Sequence, residues 1–177
     1  MVPAIFILCL AWTLSGVCSE DYLNLGGYVG NLVQENHNVT AFLPVIFFIV
    51  AICLAFATGT SWGTFGILIP ISISVLSTLP ESEAAELLVL CVAAILSGAV
   101  GGDHASPISD TTILASAGAQ CNHLEHVSTQ VPYVATVSAC CVIGFLVDGL
   151  TQNGWLGLIV GIICLTCVML FLKFKLK

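Results

Sequence analysis

Long apolar stretches separated by short polar segments constrain this chain more than any other feature of its sequence. Crossing a bilayer takes roughly 20 residues of helix, and five stretches approach that length: 2–18, 42–58, 86–100, 131–149 and 154–172. Only 7% of the residues are charged, whereas a soluble domain carries about a quarter. The sequence therefore predicts an all-α integral membrane protein, a helical bundle with about five spans, in a single transmembrane domain over residues 1–177.

The first stretch, 2–18, also has some features of a secretory signal peptide, because its apolar run ends in the small residues Gly16 and Cys18. It lacks the positively charged start that signal peptides have, and Trp12 lies late in the run. We therefore favour a transmembrane helix at this position.

The positive charges all lie at the end of the chain. There is no arginine, and the three lysines, Lys173, Lys175 and Lys177, follow the last apolar stretch. Lysine beside a span favours the cytoplasmic side, so we expect a multi-pass plasma-membrane protein with a cytoplasmic C-terminus. Membrane lipid is the expected surrounding. The net charge of −7 and the lack of a basic patch argue against nucleic acid as a partner.

Two short polar segments predict turns between spans. Residues 151–154 are too few for anything but a tight connection, so 131–149 and 154–172 are expected to form an antiparallel hairpin. Pro80, followed by acidic residues, predicts the start of the third span. Asp148, near the end of the fourth stretch, is interpreted as a surface or helix-capping group.

The segment from Ala57 to Gly66 mixes glycine and hydroxyl residues within an apolar region, and it is the first predicted break. Each glycine lowers helix propensity by about 1 kcal/mol relative to alanine, which favours an unwound stretch between two half-helices. Unwound backbone at membrane depth lies inside protein or beside a water-filled cavity, where its oxygen atoms can bind a cation. A small-residue packing face on a continuous helix is the alternative. The residues predicted to support a site here are Thr58, Gly59, Thr60, Ser61, Gly63 and Thr64.

The segment 97–112 follows an apolar span without a polar linker, and it is the second predicted broken or re-entrant segment. Gly101, Gly102 and Pro107 are expected to break the helix. Ser109, with Asp110, is expected to cap a new helix beginning near Thr111. A charged residue at the bilayer centre costs at least ~2.5–3.5 kcal/mol, so two carboxylates here indicate function. The predicted ion- and proton-coupling residues, all of which offer oxygen ligands to a small cation, are Asp103, Ser106, Ser109, Asp110, Thr111 and Thr112.

An extramembrane loop capped by Asp110 is the alternative for this second segment, but it leaves Asp103 and His104 unexplained. His104 is a candidate proton relay together with His123 and His126, because histidine exchanges protons in the physiological pH range. The last two lie close to Cys121 and Glu125, yet their spacing matches no strong zinc pattern. We therefore expect a polar turn there, no cofactor, and no metal beyond a transported sodium ion.

Both broken segments resemble the two signatures of the NhaC-type sodium/proton antiporter family. The similar strings are FATGTSWGT at Phe56–Thr64 and GDHASPISDTT at Gly102–Thr112, and the similarity continues through Cys121–Val127 and Thr129–Tyr133. The resemblance covers nearly the whole chain. It implies a carrier rather than an enzyme, built in the family from two related halves, of which this chain is similar to the C-terminal half.

The function expected from the resemblance is secondary active exchange of sodium ions for protons, by this chain as all or half of a transporter. A second half-chain or a homo-oligomer would complete the usual site. Asp103 and Asp110 would hold sodium when ionised and a proton when neutral. The alternatives are an organic-anion or amino-acid antiporter of the same family, a membrane metalloenzyme, and a non-transporting truncated subunit or remnant.

Overall fold

The structure, a computed structural model, describes residues 40–77 and 79–175, together with residues 9, 13, 16, 17, 21–24, 27 and 28. The predicted first span at 2–18 therefore lies largely outside the described residues, as does Lys177. From residue 40 onward the described secondary structure is entirely helical. The six helices are α1 (Leu43–Thr58), α2 (Ser61–Leu76), α3 (Glu81–Ala105), α4 (Asp110–Gly118), α5 (His123–Thr151) and α6 (Gly154–Lys175).

Three of these helices, α3, α5 and α6, are long and apolar enough to cross a membrane. They confirm the spans predicted at 86–100, 131–149 and 154–172. The stretch predicted at 42–58 forms α1, which has 16 residues and is about 24 Å long. That length is less than the roughly 30 Å of a bilayer's hydrocarbon core. The all-helical architecture of the prediction is confirmed.

Helices α1 and α3 run parallel and side by side. Phe48 of α1 lies beside Gly98 of α3, and one to two turns later Ala55 lies beside Gly102. Helix α2 begins where α1 ends and leads within four residues into the start of α3, against which it packs. Since it returns to that end of the bundle, α2 runs antiparallel to α1 and α3. The α1–α2 pair is therefore an antiparallel hairpin of two short apolar helices.

Small residues on α3 bring the α1 backbone into contact. A β-carbon on Gly102 would lie 3.0 Å from the Ala55 Cβ and 3.0 Å from the Phe56 amide nitrogen. Gly98, one turn earlier, has the Phe48 carbonyl oxygen 2.5 Å from the same position. The expectation that Gly101 and Gly102 break the helix is therefore wrong, because α3 continues through both to Ala105. Glycine serves here as a close-packing surface between membrane helices.

The apolar core lies among α1, α2 and α3. Leu43, Phe47, Leu68, Val75 and Ile95 belong to one cluster of buried side chains contributed by these three helices. The start of α3 directly after Pro80 confirms that predicted boundary.

Helices α5 and α6 form the predicted antiparallel hairpin. Gln152 has a left-handed conformation, with φ of 51°, and α6 begins two residues later at Gly154. Gly144 of α5 faces the backbone of Gly157 and Gly161 of α6, which lets the two helices approach closely. The Phe145 ring of α5 packs against Phe48 of α1 with centroids 5.1 Å apart, so the hairpin is joined to the core.

Adjacent glycines on α3 provide a matched test of this packing. We expect Gly102→Ala to destabilise the fold by about 1–3 kcal/mol, the usual cost of overpacking a tight core. Gly101→Ala should be neutral or stabilising, because the nearest atom to its added methyl group is the Ile52 Cγ1 at 4.0 Å. Thermal unfolding of the purified chain in detergent would measure both. Equal melting temperatures for the two variants would contradict the packing described.

Candidate functional site

The first break between helices is short. Helix α1 ends at Thr58, Gly59 has a left-handed conformation with φ of 66°, and Thr60 is extended. The Thr60 hydroxyl accepts a hydrogen bond from the Gly63 amide at 3.4 Å and so caps α2. The expected break is confirmed, but its predicted length is wrong. Because Thr60 caps the new helix at once, Ser61, Gly63 and Thr64 are helical.

The second break comprises residues 106–109, between α3 and α4. Ser109 accepts a hydrogen bond from the Thr111 amide at 3.2 Å, which confirms its predicted role as the helix cap. The Ser109 and Thr111 hydroxyls also form a hydrogen bond of 2.8 Å. Pro107 lies inside the break, where its missing N–H costs no helical hydrogen bond.

The structure brings the two breaks into direct contact. The Ser106 hydroxyl donates a hydrogen bond of 2.8 Å to the Phe56 carbonyl oxygen, one of the α1 carbonyls that has no partner within its own helix. Gly59 lies so close to Ile108 that a β-carbon would be 2.9 Å from the Ile108 carbonyl oxygen. Segments about 50 residues apart in the sequence therefore form one junction.

Buried oxygen atoms are concentrated around this junction. Asp103, in the last turn of α3, is 7% exposed, and its Oδ1 atom has no hydrogen-bond partner within the part of the chain that the structure describes. The Thr112 hydroxyl of α4 is 3.3 Å from the His104 carbonyl oxygen and 3.5 Å from that of Asp103. The hydroxyl residues buried in these segments are Thr64, Ser106, Ser109 and Thr112.

The other predicted residues at the junction are more exposed. Asp110, at the start of α4, is exposed, as are Thr58 and Thr111. The two carboxylates of the predicted site are therefore in different environments, with Asp103 buried and Asp110 at the surface. His104 is also exposed, and its Nδ1 atom is 3.0 Å from the Val100 carbonyl oxygen of the preceding turn.

His123 links the second break to α4 and α5. Its Nε2 atom is 2.7 Å from the Pro107 carbonyl oxygen, and its Nδ1 atom is 3.0 Å from the Ser116 hydroxyl. A carbonyl oxygen only accepts, so Nε2 carries a proton and donates it to Pro107. The Ser116 hydroxyl also reaches the Ile113 carbonyl oxygen at 2.9 Å. Ser116 can therefore donate to a neutral His123, or accept from a charged one while donating to Ile113.

No zinc-like cluster accompanies His123. Among the described residues, no group of three or more histidine, cysteine, aspartate or glutamate side chains could hold a metal ion. The Cys121 Sγ atom instead lies 3.6 Å from the Ser116 carbonyl oxygen. The Asn122 side chain caps α5 by accepting hydrogen bonds from the Leu124 and Glu125 amides. His126 is partly buried on the first turn of α5. The predicted polar turn is confined to residues 119–122, because His123, Glu125 and His126 lie in the first turn of α5.

Sequence reasoning misjudged one residue and missed another. Asp148, interpreted as a surface or capping group, is 6% exposed and buried within the bundle. The missed signal was the general rarity of carboxylates inside apolar spans. Ser116, the hydrogen-bond partner of His123, was not predicted at all, since a serine in a short helix carries no distinctive pattern.

Comparison with known proteins gives a family for this arrangement. A sequence profile described as the Na+/H+ antiporter family matches residues 1–150. The chain belongs to the NhaC-type Na+/H+ antiporter family. It is 36% identical over 134 residues to the malate-2H(+)/Na(+)-lactate antiporter of Bacillus subtilis, an alignment that covers 70% of this chain. No solved structure matches the chain.

Two proteins of Haemophilus influenzae are also similar. One, an uncharacterised protein, is 48% identical over 157 residues, or 89% of this chain, and the other, an uncharacterised Na(+)/H(+) antiporter, is 30% identical over 131 residues, or 72%. The alignment covers 29% of the length of the uncharacterised protein, 27% of the B. subtilis antiporter and 25% of the uncharacterised Na(+)/H(+) antiporter. The chain thus spans less than a third of the length of the antiporter-family relatives it matches.

The contact between the breaks can be tested through Ser106. The Ser106 hydroxyl donates to the Phe56 carbonyl oxygen and accepts from the Ile108 amide at 3.4 Å. We therefore expect Ser106→Ala to cost about 1–2 kcal/mol, the net value of one to two hydrogen bonds, and to raise local amide exchange roughly five- to thirtyfold. Hydrogen–deuterium exchange of peptides covering 57–60 and 106–109 would measure this. Ser128→Ala is the control, because the Ser128 hydroxyl binds only the Glu125 carbonyl oxygen of its own helix. Unchanged exchange at both breaks would contradict the contact.

Proposed function

We propose that this chain takes part in exchanging sodium ions for protons, with the Asp103 carboxyl group as the coupling site. The observation that carries the proposal is the buried Asp103 side chain with an unpartnered Oδ1 atom among the described residues. A carboxylate in the last turn of a helix meets the negative end of the helix dipole, and burial away from water adds a further cost. A bound sodium ion or a proton relieves both.

Competition between these two cations at one carboxyl group couples their movements. Asp103 binds sodium when it is ionised and releases it when it is protonated, so each cation leaves as the other arrives. Carriers with broken helices bind ions through backbone carbonyls and helix ends near the bilayer midplane. The neutral oxygens available to the ion here are the carbonyl groups at the ends of α1 and α3 and the buried hydroxyls of Thr64, Ser106, Ser109 and Thr112.

The exposed residues of the predicted site have a separate part in this mechanism. Asp110 attracts cations toward the junction through its surface charge. His123, hydrogen-bonded to the Pro107 carbonyl oxygen, passes protons between the aqueous surface and the second break. His104 and His126 are further relay candidates because they are at the ends of helices that flank the junction.

Exchange of organic anions is the second candidate function. The observation that favours it is the 36% identity to a relative named as a malate-2H(+)/Na(+)-lactate antiporter. An organic anion needs a cationic or hydrogen-bonding partner. This chain has no arginine, and its lysines are in the last five residues. Histidine at the junction, or a residue from another chain, would have to supply that partner.

The working assembly includes a second half-chain or a second copy of this chain. Relatives of the family are more than three times as long as the segment aligned here, and an ion site in such carriers lies between two structural repeats. The membrane is the plasma membrane, and Lys173 and Lys175 at the end of α6 orient the C-terminus toward the cytoplasm.

Ion flux in vesicles tests the role of Asp103. We expect Asp103→Asn to reduce sodium-dependent proton flux to background, because the amide can neither ionise nor bind a proton in its place. Asp110→Asn is the matched change at an exposed carboxylate, and it should raise the sodium concentration that gives half-maximal flux while leaving exchange measurable. The vesicles must contain the chain in the assembly found in its native membrane.

Two outcomes of this flux experiment separate the candidate functions. Proton flux driven by sodium that survives both substitutions contradicts the assignment of Asp103. Proton flux that requires added lactate or malate together with sodium favours the organic-anion antiporter instead.

The pH dependence of the same flux tests His123. We expect His123→Gln to keep a donor toward Pro107 but to remove the proton-exchanging ring, so the pH profile of the flux should change. Ser128→Ala is the control on the same helix, because the Ser128 hydroxyl donates to the Glu125 carbonyl oxygen of that helix, and His126→Gln tests the further relay candidate in the same assay. An unchanged pH profile in His123→Gln would exclude this histidine as a relay.

A further inference from the structure

Asp148 is a second buried carboxyl group, and the proposed exchange mechanism does not use it. It lies on α5, is 6% exposed, and its Oδ1 atom has no hydrogen-bond partner among the residues that the structure describes. The carboxyl group rests against the backbone of Gly157 on α6, in the space that a β-carbon at that position would occupy. The side chain therefore points into the bundle.

Asp148 is far from the junction of the two breaks. It follows His123 by 25 residues on the same continuous helix, which places it roughly 37 Å further along the helix axis. It therefore lies at the opposite end of the bundle. Gly149, the next residue, touches the Ala41 carbonyl group, and Gly154 lies against Leu90 near the start of α3. Asp103 and Asp148 are thus separate sites.

A cleft of about 460 Å³ between α3, α5 and α6 reaches Asp148. The residues that line the cleft are almost all apolar. Among them, Ser97 on α3 carries a hydroxyl group. The other titratable groups of the lining are Cys140 and Cys141, on the same helix as Asp148. The lining residues contributed by α3 and α6 carry no charge, and Glu86 of α3 is exposed and outside the cleft.

None of the described residues that line this cleft carries a positive charge to balance an ionised Asp148. A charged carboxylate in apolar surroundings without a paired cation is strongly disfavoured, whereas the neutral acid is tolerated. A sodium ion would need several oxygen ligands, and besides the carboxyl group itself the side chains of the lining offer one oxygen, the Ser97 hydroxyl. A proton is the cation that this site can hold.

We propose that Asp148 is a proton-binding site, protonated at neutral pH and reached through the apolar cleft between α3, α5 and α6. Its chemistry also makes it a modification site for a hydrophobic carbodiimide. Such a reagent takes up the carboxyl proton, forms an O-acylisourea with the carboxylate oxygen, and rearranges to a stable N-acylurea without a further reactant. The reagent concentrates in apolar surroundings, so exposed carboxylates such as Glu86 are poor substrates.

Carbodiimide labelling of the full chain in its native membrane tests this proposal. We expect dicyclohexylcarbodiimide at neutral pH to modify the peptide containing Asp148, with the exposed Glu86 unmodified, as read by mass spectrometry. Labelling should decline at alkaline pH and disappear in the near-isosteric Asp148→Asn. A wild-type Asp148 that stays unmodified at neutral pH, or that is labelled no faster than the exposed Glu86, overturns the proposal.

Infrared spectroscopy gives a second measurement that does not depend on access of the reagent. We expect wild type at neutral pH to show the C=O stretching band of a protonated carboxyl group, and Asp148→Asn to lose one such band. Asp103→Asn serves as a comparison, because loss of a band there reports on the coupling site and leaves the Asp148 assignment unaffected. Identical spectra for wild type and Asp148→Asn at neutral pH overturn the proposal.

Discussion

Close packing of α1 against α3 determines the position of everything else in this bundle. Gly98 and Gly102 remove the side chains that would keep the two helices apart, and the α1 backbone occupies the space. The next residue on the same helical face is Ser106, whose hydroxyl donates to the Phe56 carbonyl oxygen. The contact between α1 and α3 is thus apolar at the two glycines and polar at Ser106. It holds the C-terminal ends of the two parallel helices side by side. Both helices break there, so their breaks form a single junction.

That junction explains why Asp103 is the better candidate of the two carboxylates. It lies at the C-terminal end of α3, beside the C-terminal end of α1, where carbonyl groups already concentrate negative partial charge. Burial raises the cost of ionisation further. Asp110 has neither constraint, because it begins a helix, where the dipole favours an acid, and it is exposed. The two residues are seven positions apart in one sequence motif, yet the helix ends give them opposite environments.

Much of this architecture could be predicted from the sequence, because hydropathy and capping chemistry are local. Three spans, the α5–α6 hairpin and the Ser109 cap follow from patterns within a few residues. Gly101 and Gly102 show the limit: glycine favours a break through its backbone and close packing through its missing side chain, and only the neighbouring helix decides between them. The sequence offers a small-residue packing face as an alternative for the segment from Ala57 to Gly66, whereas the structure has one at Gly98 and Gly102. The burial of Asp148 could not be predicted because Gly157, against which its carboxyl group packs, belongs to another helix.

Proton release on sodium binding tests the central claim most directly. In unbuffered detergent solution with a pH indicator, adding sodium chloride to the protein in its native assembly should release protons, and an equal addition of choline chloride should not. One carboxyl group that binds either cation predicts proton release that rises with sodium concentration to a limit and is absent in Asp103→Asn. Sodium binding without proton release at any pH, or equal release from Asp103→Asn, would contradict the account.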